Sequence, residues 1–310
     1  MKRREFMVSA AALAVMGSTG VFAASSTVRG VKLGLITGSL KPLPKIAGKD
    51  AADVIIDQCL RMGVENVELG SRFFGPEVIG IVRGRAPEVP TPDYLRTRAA
   101  QREWRLSATS LSDFVTVKDK FERAGLNLFS MSNTFHDDCT DAEIDAMFRQ
   151  MQALGVRVFQ TGQTRVPMCR RLAPAAETYG ISPALHPHAE VEDPNEVASP
   201  ASLTGLLEFS PAFRVCLDIG HFVAGNNDPL AFLRQHHARI THLHVKDRKR
   251  NKGAHVPWGQ GDTPIKECLH LIRDNRWPII ALVEREYEDG RTPYEHTRAE
   301  VQAMRDMLSS

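Results

Sequence analysis

Cysteine is scarce and unpaired in this sequence. Cys59, Cys139, Cys169, Cys216 and Cys268 make five, an odd number with no Cys-x-x-Cys spacing. That pattern excludes a disulfide framework and a zinc knuckle. Cys59 and Cys216 stand inside apolar patterns that suit buried free thiols. An excess of charge is missing too. The formal net charge is +2, and removing Lys2, Arg3, Arg4 and Glu5 with the first segment brings it to zero. A neutral chain offers no broad electrostatic footprint for nucleic acid. No glycine-rich dinucleotide fingerprint follows the first strand candidate in VKLGLITGSLKPLP, which counts against a doubly wound open sheet. Long apolar runs are absent as well. The N-terminal apolar stretch is short and broken by Ser9, Gly17 and Ser18, too interrupted for a permanent membrane span. What remains is 43% hydrophobic and 25% charged, the balance of a globular protein. A length of 310 residues suits one large barrel or two ordinary domains.

The first 23 residues, MKRREFMVSAAALAVMGSTGVFA, have a basic start, an apolar middle and small residues near Ala23. These are the three parts of an export signal. Arg3-Arg4 before Glu5-Phe6-Met7 resembles the twin-arginine type, which is a receptor-read address and not an anchor. The expectation is cleavage near Ala23, passage through the export machinery and a periplasmic location. A chain that folds before export tolerates free thiols and a metal loaded inside the cell.

Beyond Ala24, short apolar runs alternate with longer amphipathic segments. Strand candidates are 31–38, 66–71, 126–133, 156–162, 182–188, 214–220, 240–247 and 279–286, eight in all. The intervening stretches, such as DAADVIIDQCLRMG and TPIKECLHLIRDN, repeat apolar residues every three or four positions, as helices packed on a sheet do. Gly63, Gly125, Gly155 and Gly180 stand where helices stop. Eight strand–helix units predict an α/β fold, a single (β/α)8 TIM barrel over residues 31–308. Residues 72–97 interrupt the rhythm with four prolines and three glycines. On a barrel this loop projects from the C-terminal face, as a substrate wall or as a surface insertion.

Polar residues gather at the predicted strand exits: Glu68 on the second, His186 and His188 on the fifth, Asp218 and His221 on the sixth. His242, His244, Lys246 and Asp247 end the seventh, and Glu284 and Glu286 the eighth. Alternate residues of a strand share a face, so His186/His188, His242/His244 and Glu284/Glu286 are same-side pairs. Glu286, in REYEDG, reads as a solvated carboxylate. A mixed His/Asp/Glu set suits a divalent ion such as manganese, cobalt, zinc or magnesium.

CLDIGH, HLHVKD and LVE, in that order at the last three strands, resemble the xylose isomerase-like barrel superfamily of sugar isomerases and epimerases. Its nearer members include inosose dehydratases, hydroxypyruvate isomerases and ketose 3-epimerases. VPWGQGDTP is similar to that family's loop after strand seven, and the likeness spans roughly residues 31–290. The resemblance implies a metal site on Asp218, His244 and Glu284. His186 stands where many members have a glutamate and is expected to ligate the metal in its place, and Gln260 stands where many have another glutamate. It further implies that His221, Lys246 and Arg250 face the substrate; Glu284, His188 and Lys246 are expected to carry catalysis, and Glu68 and Trp258 to meet the substrate beside His221 and Arg250.

Removing a proton alpha to a ketone builds charge on the carbonyl oxygen, which a metal stabilises and a positioned base makes possible. Return of the proton isomerises or epimerises, and loss of a beta oxygen eliminates. The expected activity is therefore metal-dependent enolisation of a keto sugar, with beta-elimination of a 3-keto glycoside as the alternative. The histidine in place of glutamate and the export signal favour the elimination, since a phosphorylated sugar suits the periplasm poorly. A non-catalytic sugar-binding barrel, with Trp258 and Phe222 stacking on a pyranose, is the reading from another class. Phosphodiester cleavage fits less well, because the third strand offers only His136 beyond its end. The expected partner is a small sugar, and homo-oligomerisation is left open.

Overall fold

The computed structural model describes residues 26–70, 73–80 and 84–310; the proposed export signal lies outside them. Eight parallel strands form a closed barrel: β1 (Val31–Ile36), β2 (Asn66–Leu69), β3 (Asn127–Ser132), β4 (Val158–Gln160), β5 (Ser182–Leu185), β6 (Arg214–Asp218), β7 (Ile240–Val245) and β8 (Ile280–Val283). Each pairs with its sequence neighbour, and β8 returns to β1 to close the ring. A short strand, Thr27–Val28, adds antiparallel to β1. The eight predicted strands are the eight observed ones, each shorter by a few residues because the polar exits leave the sheet.

Ten helices among the described residues surround the barrel: α1 (Ala51–Met62), α2 (Pro92–Leu106), α3 (Ala108–Arg123), α4 (Asp141–Leu154), α5 (Val166–Tyr179), α6 (Pro200–Phe209), α7 (Ile219–Ala224), α8 (Pro229–His236), α9 (Ile265–Asp274) and α10 (Pro293–Ser309). In α9 the buried residues Ile265, Cys268, Leu269 and Ile272 form one stripe. Each large apolar side chain so covered contributes about 1.5–3 kcal/mol. Capping boxes at Asp50, Thr140, Ser199 and Thr292 start α1, α4, α6 and α10. All five cysteines are free and buried. No helix of the described residues is long and apolar enough to cross a membrane.

The barrel interior is apolar near its base and polar toward the strand exits. Gly34 lets β1 and β2 approach, since a Cβ there would lie 2.3 Å from the Asn66 carbonyl oxygen. Two register shifts occur, at Val67/Glu68 against β3 and at Val215/Cys216 against β7. Such irregularities re-aim the side chains that follow, here Glu68 and Asp218.

Candidate active site

Asp218 ends β6 and begins α7. Its Oδ1 accepts the His221 backbone N–H at 2.6 Å, capping the helix. Its Oδ2 is buried with no hydrogen-bond partner among the described residues. The same is true of both ring nitrogens of His186, of His244 Nδ1 and of Glu284 Oε2. One donor atom from each of His186, Asp218, His244 and Glu284 lies within 4.8 Å of the other three. His244 Nδ1 and Glu284 Oε2 come to 2.7 Å without hydrogen-bond alignment. Two lone pairs aimed at a shared third point produce that geometry, and a ligand cage of about 2 Å bonds produces the spacing.

The charges agree with the geometry. Lys246 Nζ lies 2.8 Å from Asp218 Oδ2, 2.8 Å from Glu284 Oε2 and 2.5 Å from Glu286 Oε2. Only the last is an aligned hydrogen bond. Burial raises the Asp218 carboxyl, but Lys246 and the histidines outweigh it and hold it well below the carboxylate range. Glu284 is held down in the same way, chiefly by Lys246 and His244. Lys246 is pushed upward by its three carboxylates against its own burial, so it stays an ammonium. With His244 neutral as a ligand, Asp218, Glu284 and Glu286 against Lys246 leave two negative charges, the complement of a divalent cation. The residues present therefore fit a divalent metal.

Glu68 was expected to meet substrate, and the structure corrects this. It is fully buried beneath the ligand set, with Oε1 2.9 Å from His244 Nε2 and Oε2 3.0 Å from His242 Nε2. An ionised carboxylate only accepts, so His244 carries a proton on Nε2 and Nδ1 is the atom left for a metal. Burial works against a charge on this ring, but Cys216, Glu284 and Glu68 raise it well above its ordinary value, so a metal would take the place of a proton on Nδ1. Burial works against a charge on His242, yet the Cys216 sulfur and Glu68 raise it to about 9. Glu68 and His242 thus balance each other.

His221 is set by a neighbour that the sequence reading did not single out. Arg248 NH1 donates to its Nδ1 at 2.6 Å, which places the His221 proton on Nε2. Burial and Lys246 depress this imidazole far below its ordinary value, so it is neutral. Its Nε2–H lies 3.6 Å from Glu286 Oε2, a position suited to a substrate oxygen.

A cavity of about 320 Å³ opens above these groups. One side carries His186, His188, His221, Glu284 and Glu286. The other carries Ser132, Asn133, Gln160, His136 and Arg105, and residues 74–78 of the long loop form a third wall. Phe74 stacks on Phe114 with ring centroids 3.9 Å apart. Gly75, at φ +67°, lies so close to the Trp104 ring that an added Cβ would meet it at 2.4 Å. The wall reading of that loop holds for these residues. Glu286 is no freely solvated carboxylate: it binds Lys246 and faces His255 Nδ1 at 3.3 Å. Arg250 and Trp258 do not line the cavity. Arg250 is exposed, and Trp258 packs against the core in a loop held by Asp247, which accepts from Gly259, Gly261 and Thr263. Arg248, two residues earlier, is the arginine that reaches the site, through His221 and not through the cavity itself. The residues from β3 and β4 went unnoticed because serine, asparagine and glutamine at a strand end carry little signal alone.

Behind the second wall, Glu143 is fully buried between Arg98 at 2.5 Å and Arg102 at 2.9 Å. Burial raises its carboxyl, but these arginines and the Thr140 backbone hold it down to about 2. A depressed carboxyl stabilises the fold above the ordinary carboxylate range and loses that contribution as pH falls toward 2. Glu143→Gln is expected to cost about 3 kcal/mol near neutral pH and little at pH 2, which urea unfolding at both pH values will measure.

The description of the xylose isomerase-like TIM barrel family matches residues 104–307. L-Ribulose-5-phosphate 3-epimerase of Salmonella typhi is 29% identical over 101 residues, covering 33% of this chain and 34% of that enzyme. Inosose dehydratase of Clostridium tetani is 29% identical over 91 residues, covering 24% of this chain and 30% of that enzyme. The chain thus matches about a third of the length of these curated relatives. Among solved structures, the IOLI protein with a bound zinc atom superposes with a TM-score of 0.60 at 15% identity, over 90% of this chain and 96% of that one. That likeness is one of fold. With the family description matching well over half of its length, the chain belongs to the xylose isomerase-like TIM barrel family.

Proposed function

We propose that the protein is a divalent-metal-dependent enzyme that enolises a keto sugar, acting as an isomerase or epimerase. The observation that carries this reading is the convergence of four buried donor atoms, from His186, Asp218, His244 and Glu284, beneath a polar cavity. The epimerase and dehydratase relatives and the zinc-bound neighbour of the same fold support it. A bound divalent ion would supply Lewis acidity toward a carbonyl and its adjacent hydroxyl. The chain's own groups do the rest. Glu284, with Glu286 beside it, takes the alpha proton. His188, beside His186 and His221 at the cavity, returns a proton, His221 donates to a hydroxyl, and Lys246 stabilises the developing negative charge. We further propose that the first 23 residues direct the protein to the periplasm, which fractionation of expressing cells tests by where the shortened chain is found.

One observation favours beta-elimination as a second reading. With His186 at the exit of β5, the two carboxylates that line the cavity beside it, Glu284 and Glu286, both follow the same strand, β8. Elimination needs a base and an acid on one side, whereas epimerisation needs proton carriers on two faces. Incubation of metal-loaded protein in deuterated buffer with ketoses and 3-keto glycosides, followed by NMR, separates the readings. Deuterium at the alpha carbon with an intact glycosidic bond marks isomerisation or epimerisation. Release of the aglycone with an unsaturated sugar marks elimination. No exchange with any of manganese, cobalt, zinc or magnesium would overturn the enzymatic reading in favour of simple sugar binding.

A further inference from the structure

The wall facing the ligand set carries one more positive charge than its buried ion pairs take up. Arg98, Arg102 and Arg105 project from one helix, α2, toward Asp138 and Glu143. Arg98 and Arg102 take up both carboxylates at close range: Arg98 reaches Asp138 at 3.1 Å and Glu143 at 2.5 Å, and Arg102 reaches Glu143 at 2.9 Å. Arg105 has only weak partners among the described residues. Its NH1 lies 3.7 Å from the Cys139 sulfur and 3.7 Å from Glu143 Oε1. Burial keeps the Cys139 thiol protonated despite the arginines around it, so it offsets no charge. Three guanidiniums against two carboxylates leave one positive charge over. Arg105 is only 7% exposed, and it lines the cavity. A guanidinium carries five donors in a fixed fork, and most of these have no partner among the described residues.

A second group on the same wall points to a ligand independently. His136 is also 7% exposed, lines the cavity, and has a buried Nδ1 without a hydrogen-bond partner. Burial and the two nearby arginines push it down to about 3, so the ring is neutral. Glu77 lies exposed at the rim of the cavity and has a partner of its own. Leaving a buried polar atom unpaired is costly unless something binds it.

We propose that Arg105 and His136 form a carboxylate-binding subsite, so that the substrate is an acidic sugar whose carboxylate lies away from its reacting carbonyl. The reasoning rests on the reading of this cavity as a sugar site and narrows its substrate class. One spare positive charge matches a single carboxylate, and the planar fork suits its two oxygens. A phosphate near two negative charges calls for more donors than one guanidinium and one imidazole supply.

The test is calorimetric titration of the zinc-loaded protein, and of Arg105→Gln and Arg105→Lys, with D-glucuronate, D-glucose and D-glucose 6-phosphate. NMR titration with acetate serves as a sugar-free probe. The expected result is glucuronate binding at least tenfold tighter than glucose, a preference erased in Arg105→Gln and partly kept in Arg105→Lys. Equal affinity for glucuronate and glucose would overturn the subsite and leave the sugar reading standing. Tighter binding of the phosphate would overturn its carboxylate assignment. Acetate capture that depends on Arg105, with no sugar bound, would support the subsite and sink the sugar reading. Binding of none of these probes would overturn the subsite. The wild-type preferences alone decide the matter if the variants fail to fold.

Discussion

Asp218→Ala is expected to abolish metal binding and turnover together. The carboxylate supplies one of only two negative ligand atoms in the set, the other being Glu284. Removing it takes away a ligand and leaves Lys246 facing one ligand carboxylate where it had faced two. Loss of an outer partner alone typically costs 10–100-fold in metal affinity, so loss of a ligand is expected to cost at least about 100-fold. The alanine also removes the α7 cap, a further cost of about 1 kcal/mol. Asp218→Asn separates these effects, because its amide oxygen still accepts the His221 N–H while the anionic ligand is gone. Metal content after dialysis against zinc, measured by mass spectrometry beside the thermal midpoint, gives the answer. A normally folded Asp218→Asn protein that retains a full equivalent of metal would sink the assignment. His244→Ala is expected to show the same loss of metal without the loss of the cap.

Asp218 also shows how much of the molecule was legible in its sequence. Eight apolar runs separated by amphipathic helices specify a parallel barrel, because periods of two and 3.6 residues have few other ways to bury their apolar faces together. The ligand set was legible for a related reason: a barrel brings strand exits to one mouth, so residues far apart in sequence are read as neighbours. Height along the barrel axis was not legible. Glu68 and Asp218 both lie on short strands next to a register shift, and only coordinates reveal that Glu68 sits below the donors. Loop direction was equally hidden. Arg248 belongs to a short strand, Asp247–Arg248, whereas Arg250 leads into a turn in which Asn251 and Lys252 have positive φ, and only Arg248 reaches His221. Arg105 was invisible because α2 is predominantly polar, and nothing in its pattern marks one arginine of several as facing inward.

Glu68→Ala is expected to be the most damaging change outside the ligands. The carboxylate fixes the His244 tautomer through Nε2 and balances the charge on His242. Without it, the His244 ring is free to turn or to carry its proton on Nδ1, the atom that faces the other donors. Metal affinity is then expected to fall 10–100-fold, and the fold to lose about 3–5 kcal/mol from an unpaired buried charge. Glu68→Gln distinguishes positioning from packing. Its amide can accept from His244 and donate to His242 Nε2, with His242 neutral and its Nδ1–H donated to Thr241 Oγ1 at 2.8 Å. Shape and hydrogen bonds are kept while the negative charge is lost. The glutamine variant is therefore expected to recover most of the stability but only part of the metal affinity. Thermal unfolding and metal titration on the same samples check both. If Glu68→Gln binds metal as wild type does, Glu68 serves packing alone. If Glu68→Ala loses stability but keeps full affinity, His244 needs no support from below.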